Sequence, residues 1–330
     1  MTSSHLVHRP RRLRRSATVR HMVQETSLGV HHLIAPLFIH ETLKKSRPIA
    51  SMPGHMQLCL NEVSHAVEAL AEVGIGAVLL FGIPAEKDAE GSGSLREDGV
   101  IQQAIRRIRE SHPDMLIITD VCFCEYTDHG HCGMLKGEHL DNDATLSALA
   151  RQAVSHADAG ADWVAPSSMT DGMVGAIRSA LDAAGHTEVA ILSYSVKYCS
   201  SLYGPFREAA EGAPQFGDRK TIQMNPANAM EALREAALDV EEGADLLMVK
   251  PAMLYMDVIC RIKQHYPEIP LCAYQVSGEF AMIKAAADRG MLAETEVMME
   301  SLYSLRRAGA DLIITYFARD AAIFLRTTTS

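Results

Sequence analysis

The chain has 330 residues, 48% of them hydrophobic and 22% charged, with a formal net charge of -10. That length buries a large core without disulfide staples, the acidic balance argues against general nucleic-acid affinity, and no apolar run approaches the ~20 residues a membrane span requires. Three of the seven cysteines cluster and four are scattered, and no secretory signal is visible, so the expectation is a cytoplasmic protein with neither a membrane nor a nucleic-acid partner.

The first segment, 1–28, stands apart. Arg9, Arg11, Arg12, Arg14, Arg15 and Arg20 occur without an acidic residue through position 24. A transit peptide, a nucleic-acid arm and a basic extension docking on an acidic neighbouring subunit all suit this composition.

From residue 29 onward, apolar runs recur at 33–39, 77–83, 116–121, 163–167, 189–195, 246–251, 271–277 and 312–317. Stretches with helical apolar spacing lie between them, among them 63–73, 144–159, 229–241 and 296–307. Gly160-Ala161-Asp162, Gly243-Ala244-Asp245 and Gly309-Ala310-Asp311 each end a helical stretch and lead into a strand, as suits a glycine in the left-handed position past a helix end. Eight such units predict a single (β/α)8 or TIM barrel spanning 29–330, behind an N-terminal arm of 1–28. No Gly-x-Gly-x-x-Gly follows a strand, which speaks against dinucleotide binding.

In a barrel, chemistry gathers where the strands end. The third strand runs into Asp120, Cys122 and Cys124, with Cys132 close behind. Residues two apart in extended chain point the same way, so Cys122 and Cys124 can chelate one ion while the Gly-rich segment 129–133 folds Cys132 back. Thiolates favour zinc, and three protein ligands suit a catalytic site with one position open. The alternatives are a disulfide, inert thiols, or a closed structural site completed by His129 or His131.

The fourth strand ends at Ser167, the fifth just before Lys197, the sixth at Lys250, the seventh at Ser277 and the eighth near Tyr316. Lys250 closes an otherwise apolar strand, where lysine is rarely found without a reason. Burial and a second ammonium from Lys197 would both lower its pKa, leaving a neutral amine able to attack a ketone, so Schiff-base chemistry is expected. An ion pair with Asp120 and phosphate binding are the competing uses. Between the fifth and sixth strands, a long connection rich in Gly, Pro and cations reads as a lid, in which Arg207 and Arg219 can clamp a carboxylate with support from Gln223. A solvated surface loop is the plainer reading.

Motifs spread over nearly the whole chain carry a resemblance: Arg9-Pro-Arg-Arg-Leu-Arg-Arg15, Ser51-Met-Pro-Gly54, Leu80-Phe-Gly-Ile-Pro84, the cysteine segment, Ser193-Tyr-Ser-Val-Lys197, Tyr203-Gly-Pro-Phe-Arg207, Met248-Val-Lys-Pro251 and Val276-Ser-Gly-Glu-Phe280. The chain resembles the porphobilinogen synthases, also called δ-aminolevulinic acid dehydratases, and among them the zinc-dependent bacterial type. The resemblance implies a lyase that condenses two 5-aminolevulinate molecules into porphobilinogen with loss of two waters, on the route to haem.

It also implies roles. Lys250 matches the lysine that binds the keto group of the first substrate, and Lys197 the one for the second. Ser277 and Tyr316 match the groups holding the first substrate's carboxylate, and Arg207, Arg219 and Gln223 those holding the second's. Asp120 and Ser167 match polar residues near a substrate amino group, and Cys122, Cys124 and Cys132 match the ligands of a catalytic zinc. The arm is implied to embrace a neighbour in a homo-octamer, and Glu235, fifteen residues before Lys250, to bind an allosteric magnesium. Ser168 departs from a common Asp, and Thr221-Ile222 replaces a segment that carries Tyr and, in animal members, a further Cys; a second zinc site using His131 is therefore not expected. A class I aldolase barrel would account for Lys250 alone, and a zinc-binding interaction protein for the cysteines alone.

Overall fold

A computed structural model describes residues 6–328, so the first five residues of the expected arm and the last two of the expected barrel lie outside the described residues. Eight parallel strands, Leu33–His40, Ala77–Ile83, Leu116–Val121, Trp163–Pro166, Ala190–Lys197, Leu246–Lys250, Leu271–Gln275 and Leu312–Thr315, pair with their neighbours in chain order. The last pairs with the first, through Leu33 opposite Ile313 and Ile34 opposite Ile314, which closes the barrel. Helices cover the outside, so a strand such as Ala77–Ile83 is buried at every position, and this is why the strands read as unbroken apolar runs.

All eight expected strands are present, but their ends differ in ways that matter for the site. The fifth continues through Lys197 instead of stopping before it. The fourth, seventh and eighth stop early, leaving Ser167 and Tyr316 just beyond strand ends and making Ser277 the first residue of the helix Ser277–Asp288. The helices Val63–Ala71, Asn142–Ala159, Glu231–Glu241 and Glu294–Ala308 match the helical spacing with small shifts at their ends.

The Gly-Ala-Asp echo has a structural cause at the end of the barrel opposite the site. Gly160, Gly243 and Gly309 have φ of 106°, 98° and 117°, the left-handed conformation that stops each helix. The aspartate two residues later then clasps the strand before its own. Asp162 accepts the Ile117 backbone N–H at 2.7 Å, Asp245 that of Ile191 at 2.7 Å, and Asp311 that of Leu271 at 2.8 Å. Arg109 and Lys263 add ion pairs to Asp162 and Asp311 at 2.5 and 2.8 Å.

Two short ribbons had no sequence signal, because strands of two to four residues are too short to show a clear periodicity. Arg47–Pro48 pairs antiparallel with Met56–Cys59, which itself lies parallel to the first barrel strand, and Leu135–Lys136 pairs with His139–Leu140. In the arm, a 3-10 turn at Pro10–Arg14 precedes the helix Ala17–Met22, whose N-cap Ser16 accepts from Val19 N, and neither element buries a residue. Among the described residues, no helix is long and apolar enough to cross a membrane.

Candidate active site

The two lysines end adjacent strands and stand in direct register, Lys250 opposite Lys197, each about 5% exposed. Aromatic rings wall in the Lys250 amine: its Nζ lies 4.3 Å from the ring centre of Tyr274, 4.9 Å from Tyr194, 5.2 Å from Phe206 and 5.3 Å from Tyr203. This burial, followed by repulsion from Lys197, lowers the Lys250 pKa to about 7 against the opposing pull of Asp120. Lys197 Nζ donates to the Ser167 carbonyl. Asp120 Oδ2 accepts from Ser167 Oγ at 3.1 Å, its Oδ1 has no partner among the described residues, and burial raises its pKa.

Tyr194, Tyr274 and Phe206 were not singled out in the sequence. Tyr194 is three residues before Lys197, so regular alternation would send the two side chains to opposite faces. Between Leu247 and Val249 on the neighbouring strand lies one residue, but between their partners Ser193 and Val196 lie two. The extra residue is a β-bulge that reverses the alternation and lets both side chains approach Lys250.

Cys122, Cys124 and Cys132 are free, buried thiols whose sulfurs lie within 4.8 Å of one another, Cys122 and Cys124 being 3.4 Å apart. The extended exit expected for the first two is not what joins them. The chain turns there, with Tyr126 N and Thr127 N both donating to Phe123 O at 2.9 Å. Behind the turn, Gln152 Nε2 donates to Cys122 O at 3.0 Å. Contact with Cys122 pushes the Cys124 thiol well up, while hydrogen bonds from Cys122 and Cys124 pull Cys132 well down. Three buried thiols in contact resist ionising together, and a soft cation is what would let all three ionise. This donor set fits a metal ion.

His129 and His131 are not part of it: their Nε2 atoms face Ala89 O at 3.2 Å and Phe216 O at 3.1 Å, and they brace the loop. Ile222, from the long connection between the fifth and sixth strands, packs on the three cysteines. Glu125 also went unnoticed in the sequence. It groups with Asp120 and Cys122, and burial followed by the charge of Asp120 raises its pKa to about 7.

The long connection forms a short turn at Ser201–Tyr203 and a helix at Gly204–Ala209, so it is partly ordered rather than a plain loop. Beyond them Arg219 is buried, its Nη2 donating to Gly130 O at 2.8 Å and Gly212 O at 2.7 Å. Arg219 Nε, Arg207 Nε and both amide atoms of the buried Gln223 have no partner among the described residues. Buried polar atoms are nearly always satisfied, so these atoms have hydrogen-bonding capacity for water or a polar ligand. At the far side, Tyr316 and Tyr274 hydroxyls meet at 3.0 Å, and Ser277 Oγ accepts Phe206 N at 2.9 Å.

Glu235 lies apart from this cluster. It faces a recess of about 460 Å3 with Asp171, Asp239 and Glu242, where burial, followed by Asp171 and Asp239, raises its pKa. Ser168, at the position of a common Asp, is buried and shares a 2.7 Å hydrogen bond with Thr170.

Comparison with known proteins agrees over the full barrel. A family model of Delta-aminolevulinic acid dehydratase matches residues 7–324. The chain is 53% identical over 317 residues to the Delta-aminolevulinic acid dehydratase of Halalkalibacterium halodurans, covering 96% of each. It is 52% identical over 317 residues to that of Bacillus subtilis, covering 96% of this chain and 98% of that one. A crystal structure of the delta-aminolevulinic acid dehydratase (porphobilinogen synthase) of Toxoplasma gondii, in complex with its reaction product porphobilinogen, superposes with a TM-score of 0.95 at 43% identity, covering 97% of this chain and 92% of that one. A closed barrel, its paired lysines and a match along nearly every residue lead to one conclusion: the chain belongs to the delta-aminolevulinic acid dehydratase family.

Proposed function

We propose that Lys250 and Lys197 each form an imine with one of two 5-aminolevulinate molecules held side by side at the barrel mouth. The overall activity is that of the family, a lyase that condenses two 5-aminolevulinate molecules to porphobilinogen with loss of two waters, in haem biosynthesis. The observation that carries the residue assignment is the pair of buried amines in register, one of them with its pKa near neutrality.

A neutral Lys250 amine attacks the keto carbon of the first substrate and water leaves. The protonated imine then draws electrons from the neighbouring carbon-hydrogen bond. Lys197 forms the second imine, which accounts for the second water. The deprotonated carbon of one substrate attacks the imine carbon of the other, and that other's amine attacks the imine carbon of the first; the carbon-nitrogen bond to each lysine then breaks as ring protons are lost, and both lysines return as free amines. Ser277 and Tyr316 are the groups suited to the first carboxylate, and Arg207, Arg219 and Gln223, with their orphaned polar atoms, to the second. Asp120, held by Ser167, is suited to a substrate ammonium. The lid residues Ile222 and Phe206 exclude the water that would hydrolyse the imines.

We assign zinc to Cys122, Cys124 and Cys132 on the softness of three thiols. When bound, zinc supplies a Lewis-acidic position for a substrate amine or oxygen. Glu235, in its acidic recess, is our candidate for an allosteric magnesium. Residues 1–28 would serve as an arm between subunits of a homo-octamer, with 29–330 as the catalytic barrel; the exposed Leu13 and Met22 suit such a contact. Free thiols suit the reducing cytoplasm.

Incubating zinc-replete protein with 5-aminolevulinate and Ehrlich's reagent tests the activity: a coloured pyrrole is expected, and its absence sinks the reading. Borohydride trapping with substrate should label Lys250. Labelling that survives Lys250→Met and Lys197→Met together refutes the residue assignment.

A further inference from the structure

Glu279 is fully buried, and among the described residues it forms no ion pair. A buried carboxylate is costly unless donors surround it. Here they come from two separate pieces of backbone. Glu279 Oε2 accepts Val276 N at 2.8 Å, from the residue just before Ser277. Its Oε1 accepts Met253 N at 2.6 Å, with the Ala252 and Leu254 amides also directed at the carboxyl. Residues 252–254 leave the strand that ends at Lys250. One carboxylate thus ties the segment after the imine lysine to the segment before the carboxylate-binding serine.

In 5-aminolevulinate two methylenes separate the keto carbon from the carboxylate, so the Lys250 amine and the Ser277 hydroxyl must be held at a span that matches them. We infer that Glu279 is a positioning residue that fixes this span and so sets the chain-length specificity of the first-substrate site. The inference rests on the reading of Lys250 as the imine lysine and Ser277 as the carboxylate seat. A glutamine at 279 keeps the shape but presents an amide N–H2 where one of the two backbone segments also presents an N–H, so one of the two ties is lost.

The test is borohydride trapping at Lys250 with two unreactive keto acids, levulinate, which has the substrate's two methylenes, and 5-oxohexanoate, which has three. Wild type should label with levulinate in strong preference. In E279Q, levulinate labelling should slow by about 10–100-fold, the scale of an ångström-sized misplacement, and the preference over 5-oxohexanoate should fall at least about tenfold. Metal content and unfolding midpoint are measured alongside. No labelling of Lys250 in wild type removes the parent reading. Labelling in wild type with unchanged discrimination in E279Q overturns the inference, as does an equal loss with both acids. If E279Q does not fold, E279D carries the same readout: it keeps the charge with one methylene less, and unchanged discrimination there overturns the inference as well.

Discussion

Lys197 and Lys250 face each other across adjacent parallel strands, and both amines lie over the ring of Tyr194, at 5.6 and 4.9 Å. Burial in this ring-walled site, followed by repulsion from the Lys197 ammonium, lowers the Lys250 pKa to about 7.

The pH dependence of imine formation follows from that displacement. Lys250 is protonated below its lowered pKa and nucleophilic above it. The borohydride trapping rate should therefore be level above pH 7 and fall about tenfold per unit below it, as for a single titrating amine. Lys197→Met removes the repelling charge, so the profile of the Lys250 adduct should move to higher pH. A move to lower pH contradicts the electrostatic account.

The three sulfurs share one cation in this reading, so loss of one should weaken binding beyond the ~10–100-fold typical of changes outside the ligand shell. Cys124→Ser is expected to lose zinc to a chelator that leaves wild type loaded, measured by competition with a chromophoric chelator. Equal retention by both proteins removes Cys124 from the ligand set. Restoration of a chelated wild type by magnesium alone contradicts the zinc assignment.

Asp245 reaches back to the Ile191 N–H at 2.7 Å at the end of the barrel away from the lysines. Asp245→Ala leaves that amide without its acceptor and should cost about 1–3 kcal/mol in urea unfolding. Specific activity of the folded protein should be nearly unchanged. A large loss of activity at full stability contradicts the division between a structural and a catalytic barrel end.

Glu235 shares its recess with Asp171 and Asp239, and in the proposed reading a divalent cation would relieve their mutual repulsion. Magnesium should stimulate wild type and stabilise it thermally. Glu235→Gln should abolish both responses, read from activity and unfolding midpoint with and without the ion. An undiminished response in the variant places the magnesium elsewhere.

Much of this was legible in the chain because parallel strands buried on both faces leave unbroken apolar runs, and a lysine closing one of them, Lys250, stands out. The repeated Gly-Ala-Asp could be seen as punctuation, though not as a clasp, because its partners Ile117, Ile191 and Leu271 lie 40 to 54 residues away. Ser277 looks like a strand end in the sequence and opens a helix in the fold, since a helix start so close behind a strand shares its apolar pattern.

The sequence alone determined the eight βα units and the residue types that carry the chemistry, because these depend on short-range periodicity and on the rarity of buried amines and clustered thiols. Tertiary structure decided which side chains meet. A one-residue bulge turned Tyr194 and Lys197 toward Lys250, a turn at Phe123 brought the cysteine sulfurs together, and Glu279 reached Met253, 26 positions away. The physical reason is that such meetings depend on register and barrel closure, set by the packing of all the strands at once and recorded at no single position.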